Sequence, residues 1–71
     1  GNDSLVGGNT NIVLLGGGDN DIIVSGAGFD TIDGGTGANT IHGGEGGDVI
    51  GAGFGPGNLI FGEGGNDVIT G

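Results

Sequence analysis

The chain has 71 residues, 23 of them Gly, and no Lys, Arg, Cys, Met, Trp or Tyr. So short and glycine-rich a chain cannot bury an ordinary globular core, and Gly adds to the conformational entropy that folding must overcome; the lack of Cys excludes disulfides and thiolate metal sites. The formal net charge of −9, with no basic side chain to offset it, excludes nucleic acid and argues against an anionic membrane surface as partners.

An uncompensated acidic chain repels itself when compact, which leaves a disordered acidic tail or a fold held by an external cation. Hydrophobic residues make up 32% of the sequence, too many for a solvated tail. No apolar run reaches the length of a membrane span, and there is no basic start followed by a long apolar segment. The chain starts in mid-pattern, so it is expected to be a fragment of a longer array.

Taken along the chain, a large aliphatic recurs at Leu5, Leu14, Ile23, Ile32, Ile41, Ile50, Ile60 and Ile69, in steps of nine with one step of ten. Flanking residues are often apolar or β-branched, so each aliphatic centres a very short strand: 4–6, 13–15, 22–24, 31–33, 40–42, 49–51, 59–61 and 68–70. Two places before each aliphatic stand Asp3, Ile12, Asp21, Asp30, Asn39, Asp48, Asn58 and Asp67. Upstream of these come the pairs Gly7–Gly8, Gly16–Gly17, Gly34–Gly35 and Gly43–Gly44, with Ser25–Gly26, Ala52–Gly53 and Gly62–Glu63 as variants. Gly permits the tight turns between strands and leaves backbone carbonyls uncovered.

The clearest copies, Gly43-Gly44-Glu45-Gly46-Gly47-Asp48-Val49-Ile50 and Ser25-Gly26-Ala27-Gly28-Phe29-Asp30-Thr31-Ile32, follow G-G-x-G-x-D-x-U-x, where U is a large aliphatic. Over essentially its whole length the chain resembles the RTX (repeats-in-toxin) family, whose hemolysin-type nonapeptides bind calcium in a parallel β-roll. The resemblance implies an all-β fold: a right-handed parallel β-roll with two nonapeptides per 18-residue turn, about four turns, forming a single array over 1–71.

It also implies several Ca2+ ions. Calcium is a hard cation that takes about six to eight oxygen ligands, carboxylate and carbonyl alike. Asp30, Asp48 and Asp67 would then form one ladder of side-chain ligands. Asp3 and Asp21 would begin the other, continued more weakly by Asn39 and Asn58, which keep an oxygen but lack the charge. Loop carbonyls near Gly16, Gly18, Gly26, Gly28, Gly35, Gly37, Gly44, Gly46 and Gly64 would complete the sites. Ile12 cannot ligate through its side chain. Asp19, standing where the pattern has Gly, is expected to strain its loop or add an unusual ligand.

Asp33, Glu45 and Glu63 fall off the ligand phase and are expected in solvent. His42 is expected on an outer face, solvent-exposed and without a catalytic partner. Ser4 and Ser25 have no positioned base, and the Gly loops lack the Lys and the helix start of a phosphate loop, so no enzymatic activity is expected. Outward positions of alternate strands gather Val6, Ile22, Val24, Leu59 and Phe61 on one sheet. Such an apolar patch suggests self-association or packing on another domain. Scattered Thr31, Thr40 and Thr70 do not make the regular row that an ice-binding face needs.

Two functions fit. One is a calcium-binding structural module of a secreted or cell-surface protein, folding on calcium outside the cell and assembling into a filament, sheath or adhesin. The other is the non-catalytic region of a type I secreted protease, lipase or toxin.

Overall fold

The computed structural model describes residues 2–70. They form eight three-residue strands: β1 (Ser4–Val6), β2 (Val13–Leu15), β3 (Ile22–Val24), β4 (Thr31–Asp33), β5 (Thr40–His42), β6 (Val49–Gly51), β7 (Leu59–Phe61) and β8 (Val68–Thr70). These are the strands that the nine-residue period predicts. Odd-numbered strands make one parallel sheet in the order β1-β3-β5-β7, and even-numbered strands make the other, β2-β4-β6-β8. The chain therefore winds as an all-β solenoid of about four turns, within 26 × 19 × 13 Å.

Register follows the period. Leu5 pairs with Ile23 and Ile23 with Ile41, 18 residues on, while Ile41 pairs with Ile60 and Ile50 with Ile69, 19 residues on. The added residue lies in the 52–58 loop, and both sheets absorb it without a shift of face. Backbone bonds run from coil to coil, with Ile22 N–H donating to Asp3 O and Thr40 N–H to Asp21 O, both at 2.8 Å.

Strand side chains alternate, so each central aliphatic turns inward. Ile23, Ile32, Ile41 and Ile50 are fully enclosed, with Leu5, Leu14 and Ile60 packed against them. The core is a single file of aliphatics between two narrow sheets, and it weakens towards the last coil, where Ile69 is 49% exposed. Outward residues are exposed on both sheets: Val6, Ile22, Leu59 and Phe61 on one, Val13, Leu15, Val49 and Val68 on the other. The apolar outer surface is thus not confined to the one sheet on which the sequence pattern drew attention.

The loops need Gly because successive coils stack loop on loop. Gly44 sits at φ 84°, and a Cβ there would run into the carbonyl of Gly26 in the coil before. Asp19 (φ 71°) and Glu63 (φ 68°) take the same left-handed conformation without Gly, a backbone strained for a residue with a Cβ. For Asp19 this is the strain that its place in the repeat predicts.

Candidate metal centre

The ligand-phase residues close each loop just before a strand, and the winding sorts them onto the two flanks of the roll. Loops 7–12, 25–30, 43–48 and 62–67 stack on one flank, bringing Ile12, Asp30, Asp48 and Asp67 into line. Loops 16–21, 34–39 and 52–58 stack on the other, with Asp21, Asn39 and Asn58 following Asp3.

Along each ladder one side-chain oxygen does the same work. Asp21 Oδ1 accepts from Asp3 N–H at 2.8 Å, Asn39 Oδ1 from Asp21 N–H at 2.8 Å, and Asn58 Oδ1 from Asn39 N–H at 2.6 Å. On the opposite flank Asp30 Oδ1 accepts from Ile12 N–H at 3.1 Å, Asp48 Oδ1 from Asp30 N–H at 2.9 Å, and Asp67 Oδ1 from Asp48 N–H at 2.9 Å. Each side chain therefore staples its own coil to the one before.

The second carboxylate oxygen has no such role. Oδ2 of Asp21, Asp30 and Asp48 is buried and without a hydrogen-bond partner, in residues that are themselves 0–1% exposed. A buried, unpaired carboxylate oxygen is strongly disfavoured. Its surroundings make this worse. A Cβ built on Gly16 would lie 2.8 Å from Asp21 Oδ2 and 2.6 Å from the carbonyl oxygen of Gly34; on Gly43 it would lie 2.7 Å from Asp48 Oδ2 and 3.0 Å from the carbonyl oxygen of Gly62. Two acceptors thus crowd each glycine, one from its own loop and one from the next coil. A cation lodged there would satisfy both acceptors at once.

Asp48 shows the conflict in its acidity. Burial pushes its carboxyl above the usual range, the Asp30 N–H bond pulls it back, and the charges of Asp30 and Asp67 push it up again.

Among the described residues no three His, Cys, Asp or Glu side chains converge, so a cation here would draw most of its ligands from backbone carbonyls. That suits a hard oxygen-seeking ion. Carbonyls of Gly26, Gly28, Gly35, Gly37 and Gly46 point at the next coil, against Gly44, Gly46, Gly53, Gly55 and Gly65. Gly35 O is already engaged by Phe54 N–H at 2.8 Å.

The remaining ladder members differ. Asp3 is exposed and Asp67 half-buried. Ile12 directs its Cδ1 at Gly7, the glycine five residues upstream, so hydrocarbon fills the place that a carboxylate oxygen takes elsewhere.

Three features escaped the period. Asn2, Asn11 and Asn20, one place before the ligand phase, add further coil-to-coil bonds, Asn2 and Asn20 on one flank and Asn11 on the other: their Oδ1 atoms accept from Asn20 N–H (2.9 Å), Phe29 N–H (2.8 Å) and Ala38 N–H (2.7 Å) respectively. The recurrence of Asn before the ligand position was the available signal. His42 is not isolated: its Nδ1 lies 2.8 Å from Glu63 Oε2, and its ring stacks on Phe61 at 4.8 Å between centroids. Ser25, read as a small-residue variant of the Gly pair and as a serine without a base, is buried and donates to Gly43 O at 2.5 Å.

Parallel coils, Gly loops and inward carboxylates with an unpaired oxygen define a calcium-type β-solenoid repeat. The model of the RTX calcium-binding nonapeptide repeat matches in four copies, over residues 1–32, 15–50, 25–59 and 57–71. The chain belongs to that family. No curated protein and no solved structure matches it. Membership makes it a calcium-binding structural repeat module, with a fold that points to a non-catalytic role.

Proposed function

We propose that this array is a calcium-triggered folding module of a secreted or cell-surface protein. Calcium is scarce inside cells and abundant outside, so the chain leaves unfolded and winds when the ion arrives. Metal free energy then becomes folding free energy. Asp21, Asp30 and Asp48 hold the ions through their unpaired oxygens, with Asp3 and Asp67 at the ends of the ladders. Carbonyls around Gly16, Gly18, Gly26, Gly28, Gly35, Gly37, Gly44, Gly46 and Gly64 supply the remaining oxygens.

The observation that carries this is the trio of buried, unpartnered carboxylate oxygens. RTX repeat proteins are generally secreted, and a chain with no Lys or Arg offers no site to trypsin-like proteases. The parent protein is then a filament, sheath or adhesin subunit. The alternative parent is a type I secreted protease, lipase or toxin whose catalytic domain lies elsewhere. Exposed Val6, Ile22, Leu59 and Phe61, with half-buried Val24, favour self-association.

Circular dichroism with calcium added and then chelated tests the core of this. β-Signal should rise with calcium, fall with chelator and stay low in equimolar magnesium, which demands tighter octahedral geometry. A spectrum indifferent to calcium would remove the trigger.

A further inference from the structure

The asparagines of the ladder place their side chains as the aspartates do. A Cβ built on Gly34 would lie 2.9 Å from Asn39 Nδ2, matching 2.8 Å from Gly16 to Asp21 Oδ2 and 2.7 Å from Gly43 to Asp48 Oδ2. In all three, Oδ1 accepts a backbone N–H from the coil before. The difference is confined to the other terminal atom. In Asn39 that atom donates to Gly34 O at 2.8 Å, with a longer approach to Thr36 O at 3.5 Å. In Asn58 it donates to Gly55 O at 3.1 Å. In Asp21, Asp30 and Asp48 it is a buried acceptor with nothing to accept from.

The amides cannot turn over to offer oxygen instead. A flipped Asn39 would set its NH2 against the N–H of Asp21, and a flipped Asn58 would set its own against the N–H of Asn39, donor against donor in each case. Asn39 is 1% exposed, so water cannot relieve that clash.

We propose that Asn39 and Asn58 are built-in substitutes for the cation. Their amide hydrogens neutralise the loop carbonyl that an ion would otherwise coordinate, and they point into the space it would occupy. Loops 34–39 and 52–58 therefore close without metal. The flank carrying Asp30, Asp48 and Asp67 closes only with it. The flank of Asn39 and Asn58 is thus self-sufficient except at Asp21, whose Oδ2 still lacks a partner, and it templates winding; calcium completes the other flank. This deepens the calcium-triggered reading and rests on it.

The test is an ion count by native mass spectrometry on the full chain in calcium, paired with thermal melts in chelator, for wild type, Asn39→Asp and Asp48→Asn. Asn39→Asp should gain an ion and melt lower than wild type in chelator. Asp48→Asn should lose an ion and melt higher in chelator, because its amide gains the carbonyl partner that Asn39 has. Equal ion counts in wild type and Asn39→Asp overturn the substitution by asparagine. A wild-type chain that takes up no calcium sinks instead the trigger beneath it. In that event the melts still decide the wiring: Asp48→Asn melting no higher than wild type overturns it.

Discussion

Truncating Ile41 to Ala tests whether the aliphatic file and the ions act as one cooperative unit. Ile41 is fully enclosed, in a cluster whose other closed members are Ile23, Ile32 and Ile50. Ile→Ala at such a site costs about 3 kcal/mol, against roughly 4–10 kcal/mol for the whole stability of a chain this long. If one ion answers each of the three unpaired oxygens of Asp21, Asp30 and Asp48, each must supply about 1 kcal/mol more, which raises the calcium midpoint about fivefold. Ile69 is 49% exposed at the last coil, so Ile69→Ala costs only about 1 kcal/mol and moves the midpoint less than about twofold. Calcium titrations followed by circular dichroism read both numbers. Equal shifts for the two variants would refute a core centred on β3–β6, and no shift in either would refute coupling between core and metal.

Two further expectations follow from the loops and the buried acid. Gly44→Ala puts a side chain at φ 84° against the Gly26 carbonyl, costing about 1–2 kcal/mol in backbone strain alone and more from the clash. Gly8 meets nothing within 4 Å, so Gly8→Ala should stay within about 0.5 kcal/mol; melts in calcium should separate the pair. The raised pKa of Asp48 means that the folded chain binds its proton more tightly than the unfolded one. In chelator, that contribution is full below pH 3.8 and is lost as pH rises through the elevated folded-state value. β-Signal in calcium-free buffer should therefore weaken from acid towards neutral pH, and a signal that strengthens instead would contradict the burial of Asp48. With calcium present the trend reverses, because the ion needs the carboxylate deprotonated.

Much of this molecule was legible in its period. A nine-residue repeat gives every residue a phase, and phase alone says whether a side chain faces the core, a loop or solvent. Ile23 and Ile50 inside, Val6 and Val68 outside, and Asp30 beneath Asp48 all follow from counting, as does the inserted residue between Ile50 and Ile60. Phase does not say what a side-chain atom meets in the neighbouring coil, because partners lie 18 or more residues away and depend on how closely the loops stack. Only the closed roll shows that one oxygen of Asp48 staples the coil while the other is left without a partner. Only there does Asn39 Oδ1 meet the N–H of Asp21 in the coil before, or Glu63, held in a left-handed loop, reach His42 across 21 residues. Composition demanded a counter-charge, and the three-dimensional winding decided which carboxylates still lack one.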